Sequence, residues 1–419
     1  MRFAAASHPA RRRALRATAR VPLPTAPVPT LPLTPAKRLL LVGGGHAHVE
    51  VLRRFARAPA HGLEVTLVTP EAAAAYSGML PGVVAGHYRE NEAAIPLAPL
   101  ARAARAQLVR DRVAALDLQA RNAALASGRT VAFDVLALDV GSTPDAGTPG
   151  AREHALPVKP VPAFLAAWGR LRDAARDGAV RAVAVVGGGA GGVEILLAMH
   201  HRLRAAPGVD APRFALVTDQ PHLLPQHAPA VRRRVRRRLA EAGVVVHFGS
   251  AAVAVEPGAV VVTGGGRIAA DAVVWATSAS AAPWIAASGL GTDARGFACV
   301  DNHLRSVTHP FVFASGDCAT VGATPHAKSG LYAVRHGPPL ATNLLRQLCG
   351  GPLVAWRPQP RALALVSTGG RDAILSWGPF AAEGAWVWRW KDRIDRRFVA
   401  RYTTGLDHAD APPPRAGPR

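Results

Sequence analysis

The chain has 419 residues, 49% hydrophobic and 19% charged, which allows about two or three domains with full cores and excludes a largely disordered chain. No stretch approaches the ~18 uninterrupted apolar residues of a membrane-spanning helix. The three cysteines (Cys299, Cys318, Cys349) lie too far apart for a close redox pair, which excludes a disulfide scaffold and fits a reducing cytoplasm. The net charge of +22 comes almost wholly from Arg, in separate clusters with no recognition motif, and so excludes nucleic-acid binding as a main function.

Residues 1–36 carry six Arg, no acid and repeated Pro. No apolar core follows the Arg cluster, so the segment is not a secretory signal; a disordered leader, or a start codon placed too far upstream, is expected. Residues 38–42 are a short apolar run entering Gly43-Gly44-Gly45, the pattern of a buried parallel strand meeting a glycine turn. A helix over about 46–58 and a strand over 64–69 complete a βαβ start. The pattern recurs: residues 182–186 run into Gly187-Gly188-Gly189-Ala190-Gly191-Gly192, a helix continues through Glu194 to about Leu203, and a strand follows at 214–218.

Val231, Val235 and Leu239 recur every four residues with Arg between them, which predicts an amphipathic helix with a solvated basic face. Strands are expected at 244–248, 260–262 and 272–276, and a buried strand ends at Ala314-Ser315-Gly316-Asp317. A helix is expected from Lys328 to about Leu348, and residues 363–377 read as a hairpin around Thr368–Asp372. Trp386, Trp388 and Trp390, then Ile394, Phe398 and Tyr402, form an aromatic stripe among Arg and Lys. It fits either a helix docked on the hairpin or a dimer contact, or a peripheral surface for an anionic membrane. Residues 406–419 read as a frayed tail.

Each glycine turn suits a dinucleotide, because the backbone closes tightly and a pyrophosphate can rest on the helix N-terminal N–H groups. In the first turn Gly43 and Gly45 are present, but His48 replaces the third glycine, which should hold helix and strand slightly apart. Thr69 stands where a ribose-binding acid is expected. His46 and His48 fit either cofactor contact or packing beside phosphate; a His-x-His metal site lacks further ligands, so no metal site is expected. The second turn is complete, with Gly187, Gly189 and Gly192 in G-x-G-x-x-G. Asp219, after the next strand, suits a ribose 2′-hydroxyl and disfavours a 2′-phosphate, pointing to NADH rather than NADPH; its alternative is a cap on the turn before Pro221.

These two fingerprints with the late Phe313-Ala314-Ser315-Gly316-Asp317-Cys318-Ala319 resemble the FAD-dependent pyridine nucleotide–disulfide oxidoreductase superfamily. The resemblance covers about residues 37–405. It implies an α/β fold of two Rossmann-like domains, the NAD domain inserted within the FAD domain, plus a small C-terminal β/α region. The expected boundaries are 37–155 and 297–350 for FAD, 156–296 for NAD(H) and 351–405 for the C-terminal region. Residues 134–142 and 271–277 resemble the strands that join the two domains.

By the same resemblance Asp317 bonds the flavin ribityl chain, and His46, Thr69 and Pro81 belong to the FAD site. Gly192-Val193-Glu194 resembles the G-V-E of type II NADH dehydrogenases, whose acid sits near the nicotinamide; the plain alternative is a helix N-terminal carboxylate on the dipole. The helix after Lys328 would aim its positive end at the flavin, with Lys328 either adding to that field or reaching solvent. Tyr76-Ser77-Gly78-Met79-Leu80-Pro81-Gly82, Gly43–His48 and Trp390–Phe398 resemble the branch found fused to, or beside, selenide, water dikinase.

With no cysteine before Cys299, disulfide reduction is excluded. The expected function is an NADH dehydrogenase passing hydride to FAD and electrons to a quinone-type acceptor, with Glu194 and Lys328 as catalytic candidates. A selenium or sulfur species or small redox protein as acceptor, and a non-enzymatic NADH-sensing flavoprotein, are the alternatives. The expected location is cytoplasmic, or peripheral on the inner face of the cell membrane, with a homodimer as one option.

Overall fold

Short apolar runs that end in glycine build the two halves of the molecule. The computed structural model describes residues 36–404, apart from 145–146, 206–209, 278, 325, 327 and 360; the expected leader, save its last residue, and the expected tail lie outside the described residues. In chain order, β1 (Lys37–Val42), α1 (His46–Arg57), β2 (Leu63–Val68), α2 (Leu80–Ala85), β3 (Ala106–Val109) and β4 (Val135–Leu138) form the first half. The second half is β5 (Ala155–Pro157), β6 (Ala182–Val186), α3 (Ala190–Arg204), β7 (Arg213–Val217), α4 (Pro229–Glu241), β8 (Val245–His247) and β9 (Ala272–Trp275). The chain then returns through β10 (Val312–Ala314) and α5 (Gly330–Cys349), and ends with β11 (Leu363–Ser367), β12 (Ala373–Trp377), β13 (Phe380–Gly384) and α6 (Ala385–Thr403).

The first sheet has the order β10-β4-β1-β2-β3 and the second β5-β9-β6-β7-β8. Every pairing within both is parallel. The register repeats between them: Val42 stands between Val68 and Leu138, and Val186 between Val217 and Trp275. Parallel strands need both faces covered, which is why Leu39–Val42, all of β4 and Val183–Val186 are buried. The mixed α/β class with two Rossmann-like units is therefore as the sequence suggests.

Several expectations need correction. Residues 134–142 and 271–277 do not join the units; β4 and β9 lie inside the two sheets, and the crossing itself is the short antiparallel pair Thr143–Pro144 with Ala279–Ser280. The inserted unit ends earlier than residue 296, because Ala281, Ile285 and Leu290 pack into the first core. Helix α4 buries Val231, Val235 and Leu239 as expected, but its basic face is not simply solvated. Arg237 pairs with Glu383, and Arg238 reaches Asp372 at 2.7 Å, so α4 is a docking surface for the C-terminal sheet.

That sheet is a three-stranded antiparallel meander, β11-β12-β13, of which the expected hairpin over 363–377 covers only the first two strands. Helix α6 lies on it and crosses back to the first unit. A spacing of four residues drifts about 40° per step around a helix, so the aromatic stripe is not one face. Phe398 and Tyr402 turn inward, while Ile394 and Trp386 are exposed. Tyr402 donates to Glu50, a buried carboxylate on α1 also held by Arg53 and Arg54. Among the described residues no helix is long and apolar enough to cross a membrane.

Candidate functional site

Both glycine turns sit at the carboxyl ends of their sheets, between strand and helix. At the second, Gly187 has φ +128, and a Cβ on Gly192 would collide with the Gly187 carbonyl, so α3 packs against β6 only because position 192 is glycine. Gly189 faces open space, with no atom within 4 Å of where its Cβ would stand. That is the side from which a ligand backbone can approach. The Thr277 hydroxyl beside this turn is buried and lacks a partner among the described residues. Asp219 is exposed, two residues past β7. The strand is followed directly by Thr218, whose hydroxyl accepts from Gln220 N at 3.2 Å and lies against Gly188.

The first turn repeats the device with different side chains. Gly43 has φ +94, and Gly44 lies against Thr69, the counterpart of Thr218. His48 stands where the second turn has Gly192, and its buried imidazole bonds the Gly43 carbonyl through Nδ1 at 2.7 Å, so a side-chain hydrogen bond replaces the close glycine contact of the second turn. The missing ribose acid has a neighbour two residues on, where Glu71 accepts the Thr69 hydroxyl at 2.8 Å. Glu71 lies beyond the strand end, where the ribose-binding acid is expected, so the local pattern does not mark it.

Two further groups were also missed. Asp139, at the end of β4, is buried and accepts from the α1 backbone at Ala47 N (2.8 Å) and His48 N (3.1 Å). Lys159 reaches Asp317 at 2.7 Å and the Ser142 hydroxyl at 3.0 Å. Gly316 N donates to His336 Nδ1 at 3.0 Å, fixing the turn that carries Asp317. His46 opens α1 edge-on to Tyr76, with ring centroids 5.6 Å apart; burial pushes it down to about 4, so it is neutral, and its Nε2 is buried without a partner among the described residues. The glycine cradle, this unpartnered imidazole and the Asp317 turn fit a flavin dinucleotide. The Gly189 side and Thr277 fit a nicotinamide dinucleotide.

Glu194 is in the first turns of α3, and its Oε1 accepts Ser367 N at 2.8 Å. Burial pushes its carboxyl above the ordinary range, against the opposing pull of the Lys391 ammonium. Lys391 is held by Asp395 (2.5 Å) and by the Gly78 carbonyl, and Asp395 also accepts from the Tyr76 hydroxyl at 3.2 Å. Pro81, in the first turn of α2, lines a narrow slot with Tyr88, Ser367, Gly369, Trp388 and Lys391. Pro81 thus meets the C-terminal region.

Lys328 departs from the expectation in position. Ser329 is the N-cap and Gly330 the first residue of α5. The Lys328 amine turns back to the Ala319 carbonyl and the Thr320 hydroxyl, 3.9 Å from the Phe297 ring centroid, and so does not simply reach solvent. Cys318 is buried, and burial pushes its thiol up to about 12; Cys349, the last residue of α5, stands 13 residues beyond His336, about 20 Å along the helix. Among the described residues no cluster has the make-up of a metal site.

Two parallel sheets, each carrying a strand, glycine turn and helix, have the arrangement of a two-dinucleotide fold. The chain belongs to the pyridine nucleotide-disulphide oxidoreductase family, whose model matches residues 37–347. The family is FAD-dependent and uses NADH, and these are the chain's cofactors. The chain is 28% identical over 342 residues to an NADH dehydrogenase-like protein of Mycobacterium tuberculosis, covering 78% of this chain and 85% of that one. Among solved structures it resembles the sulfide:quinone oxidoreductase of Aquifex aeolicus (TM-score 0.75, 18% identity, 88% of this chain and 92% of that one). It also resembles the NDH2 of Plasmodium falciparum, solved in complex with NADH (TM-score 0.71, 13% identity, 88% and 99%).

Proposed function

We propose that the chain is an NADH dehydrogenase that passes electrons through FAD to a quinone. The observation that carries this reading is the enclosure of Glu194 against Ser367 and Lys391, where the second unit, α2 and the C-terminal region meet. When bound, FAD supplies the two-electron chemistry between donor and acceptor. Gly187, Gly189 and Gly192 hold the NADH pyrophosphate on the α3 N-terminus, and Asp219 takes its ribose. Gly43, Gly45 and Thr69 hold the FAD nucleotide, with Glu71 beside Thr69, and Asp317 holds the ribityl chain. Lys159 pairs with Asp317 and orients it. Glu194 holds a proton at its carboxyl, and Lys391, which lines the slot beside Pro81, orients the acceptor's oxygens. Lys328 and the α5 N-terminus lend positive potential to the flavin site.

Cys318, with its raised pKa, offers no thiolate, which favours a quinone over a sulfur species handled through cysteine. Tyr76 and Asp395, from two separate segments of the chain, are hydrogen-bonded, and Tyr76 stacks on Phe398 at 4.4 Å, which ties the C-terminal helix to the first unit. The exposed Phe380, Trp386 and Ile394, with Arg389 and Arg393, suit peripheral docking on an anionic membrane that carries quinone. Steady-state oxidation of NADH with a soluble quinone, beside sulfide, selenite and ferredoxin-type acceptors, tests the reading. Turnover with quinone alone supports it, and turnover only with another acceptor overturns it. Unchanged liposome binding after Trp386 and Phe380 are replaced by Ser would remove the membrane contact.

A further inference from the structure

We propose that Asp139 takes up a proton when FAD binds, so that the chain holds its flavin nucleotide with Asp139 as a neutral carboxylic acid. The inference rests on the assignment of FAD to the first glycine turn. Helix N-termini receive phosphate because their first N–H groups have no intrahelical acceptor. In α1 those at Ala47 and His48 already donate to one oxygen of Asp139. The enclosure is shaped for this carboxylate: a Cβ on Gly45 would collide with it, and one on Gly316 would stand 2.5 Å from Oδ1. A pyrophosphate brought to the same N-terminus adds negative charge beside an existing anion, and two anions sharing one set of donors raise the pKa of the weaker acid.

Among the described residues nothing around Asp139 supplies a compensating cation. On α1, His46 and His48 are both held near 4 by burial, and His48 is committed to Gly43. On α5, His336 is pushed down to about 3 and accepts Gly316 N. On the turn after β10, Cys318 stays a thiol, and Asp317 is a like charge already paired with Lys159. Lys328 is engaged by Ala319 and Thr320. Asp139 is left as the group that changes charge. Burial already pushes it up to about 7, so a modest further push protonates it at neutral pH. The nucleotide-bound form then has the higher pKa, and FAD affinity is level below about pH 7 and falls as pH rises above it.

The test is FAD binding to the full-length chain after removal of its flavin, followed by quenching of flavin fluorescence from about pH 6 to about pH 9, for wild type and Asp139→Asn. The wild-type Kd should rise up to about tenfold per pH unit above pH 7, while the Asn variant stays flat. Calorimetry of the wild type alone at about pH 8, in two buffers of different ionisation enthalpy, should show net proton uptake of up to about one per FAD, whether or not the variant folds. FAD that binds with a pH-independent Kd and no proton uptake overturns the inference while leaving the cofactor assignment standing; so does an Asn variant that keeps the wild-type slope. A chain that binds no FAD at any pH overturns both.

Discussion

The backbone N–H of Ser367 donates to Oε1 of Glu194 at 2.8 Å, joining the last strand-turn of β11 to the start of α3 across 173 residues of chain. The C-terminal sheet therefore closes over the acid rather than leaving it at an open helix end. Burial makes this carboxyl keep its proton to higher pH than an exposed Glu, against the opposing pull of the Lys391 ammonium.

Replacing Glu194 by Gln removes the titrating group and keeps the acceptor for Ser367 N. Turnover with quinone should fall about 10²-fold if the group moves a proton, with little change in the rate at which NADH reduces the bound flavin. The wild-type pH profile should lose activity as pH rises through the raised pKa, and the variant should lack that limb. Stopped-flow reduction alongside steady-state pH profiles checks both.

Lys391 and Asp395 are an ion pair on adjacent turns of α6, both nearly enclosed. Lys391→Met leaves the Asp395 carboxylate buried and unpaired and should cost about 3–5 kcal/mol. The double variant Lys391→Met/Asp395→Leu should recover most of that loss while quinone KM stays raised. Thermal melts of the three proteins separate the structural loss from the acceptor effect.

The two glycines of the second turn should fail differently. Gly192→Ala drives a methyl into the Gly187 carbonyl, so α3 must shift and stability should fall by about 1–3 kcal/mol. Gly189→Ala meets no protein atom and should leave the melting temperature unchanged while raising KM for NADH about tenfold or more. Equal melting losses for the two would contradict the open side assigned to Gly189.

Glu50 accepts from Arg53, Arg54 and Tyr402 and is held below the usual carboxylate range by the two guanidinium groups, against burial. Because its folded pKa is depressed, its contribution to stability is present above the unfolded value of about 4.3 and is lost as pH falls through the folded one. Glu50→Gln should therefore lower the melting temperature at pH 7 and narrow the gap to wild type near pH 3. Thermal melts at the two pH values read this directly.

The glycine turns were legible because positive φ and forbidden Cβ atoms write themselves into composition at fixed spacing, as at Gly43, Gly187 and Gly192. Asp139, Lys159 and Glu71 were not. Asp139 sits in an apolar run and reads as a strand end; its meaning lies in contacts with N–H groups 91 and 92 residues earlier. Lys159 and Asp317 are 158 residues apart, and no local pattern announces their pairing. Strand β13 was missed because Phe-Ala-Ala-Glu-Gly holds no β-branched residue and forms through pairing with β12. The Arg face of α4 looked solvated because the carboxylates that meet it come from another part of the chain.

The central claim, that NADH at the second turn reduces FAD at the first, is tested most directly by anaerobic titration of the purified chain with NADH while flavin absorbance at about 450 nm is followed. The account predicts bleaching that is complete at about one NADH per flavin. Bound flavin that stays oxidised in excess NADH would contradict it.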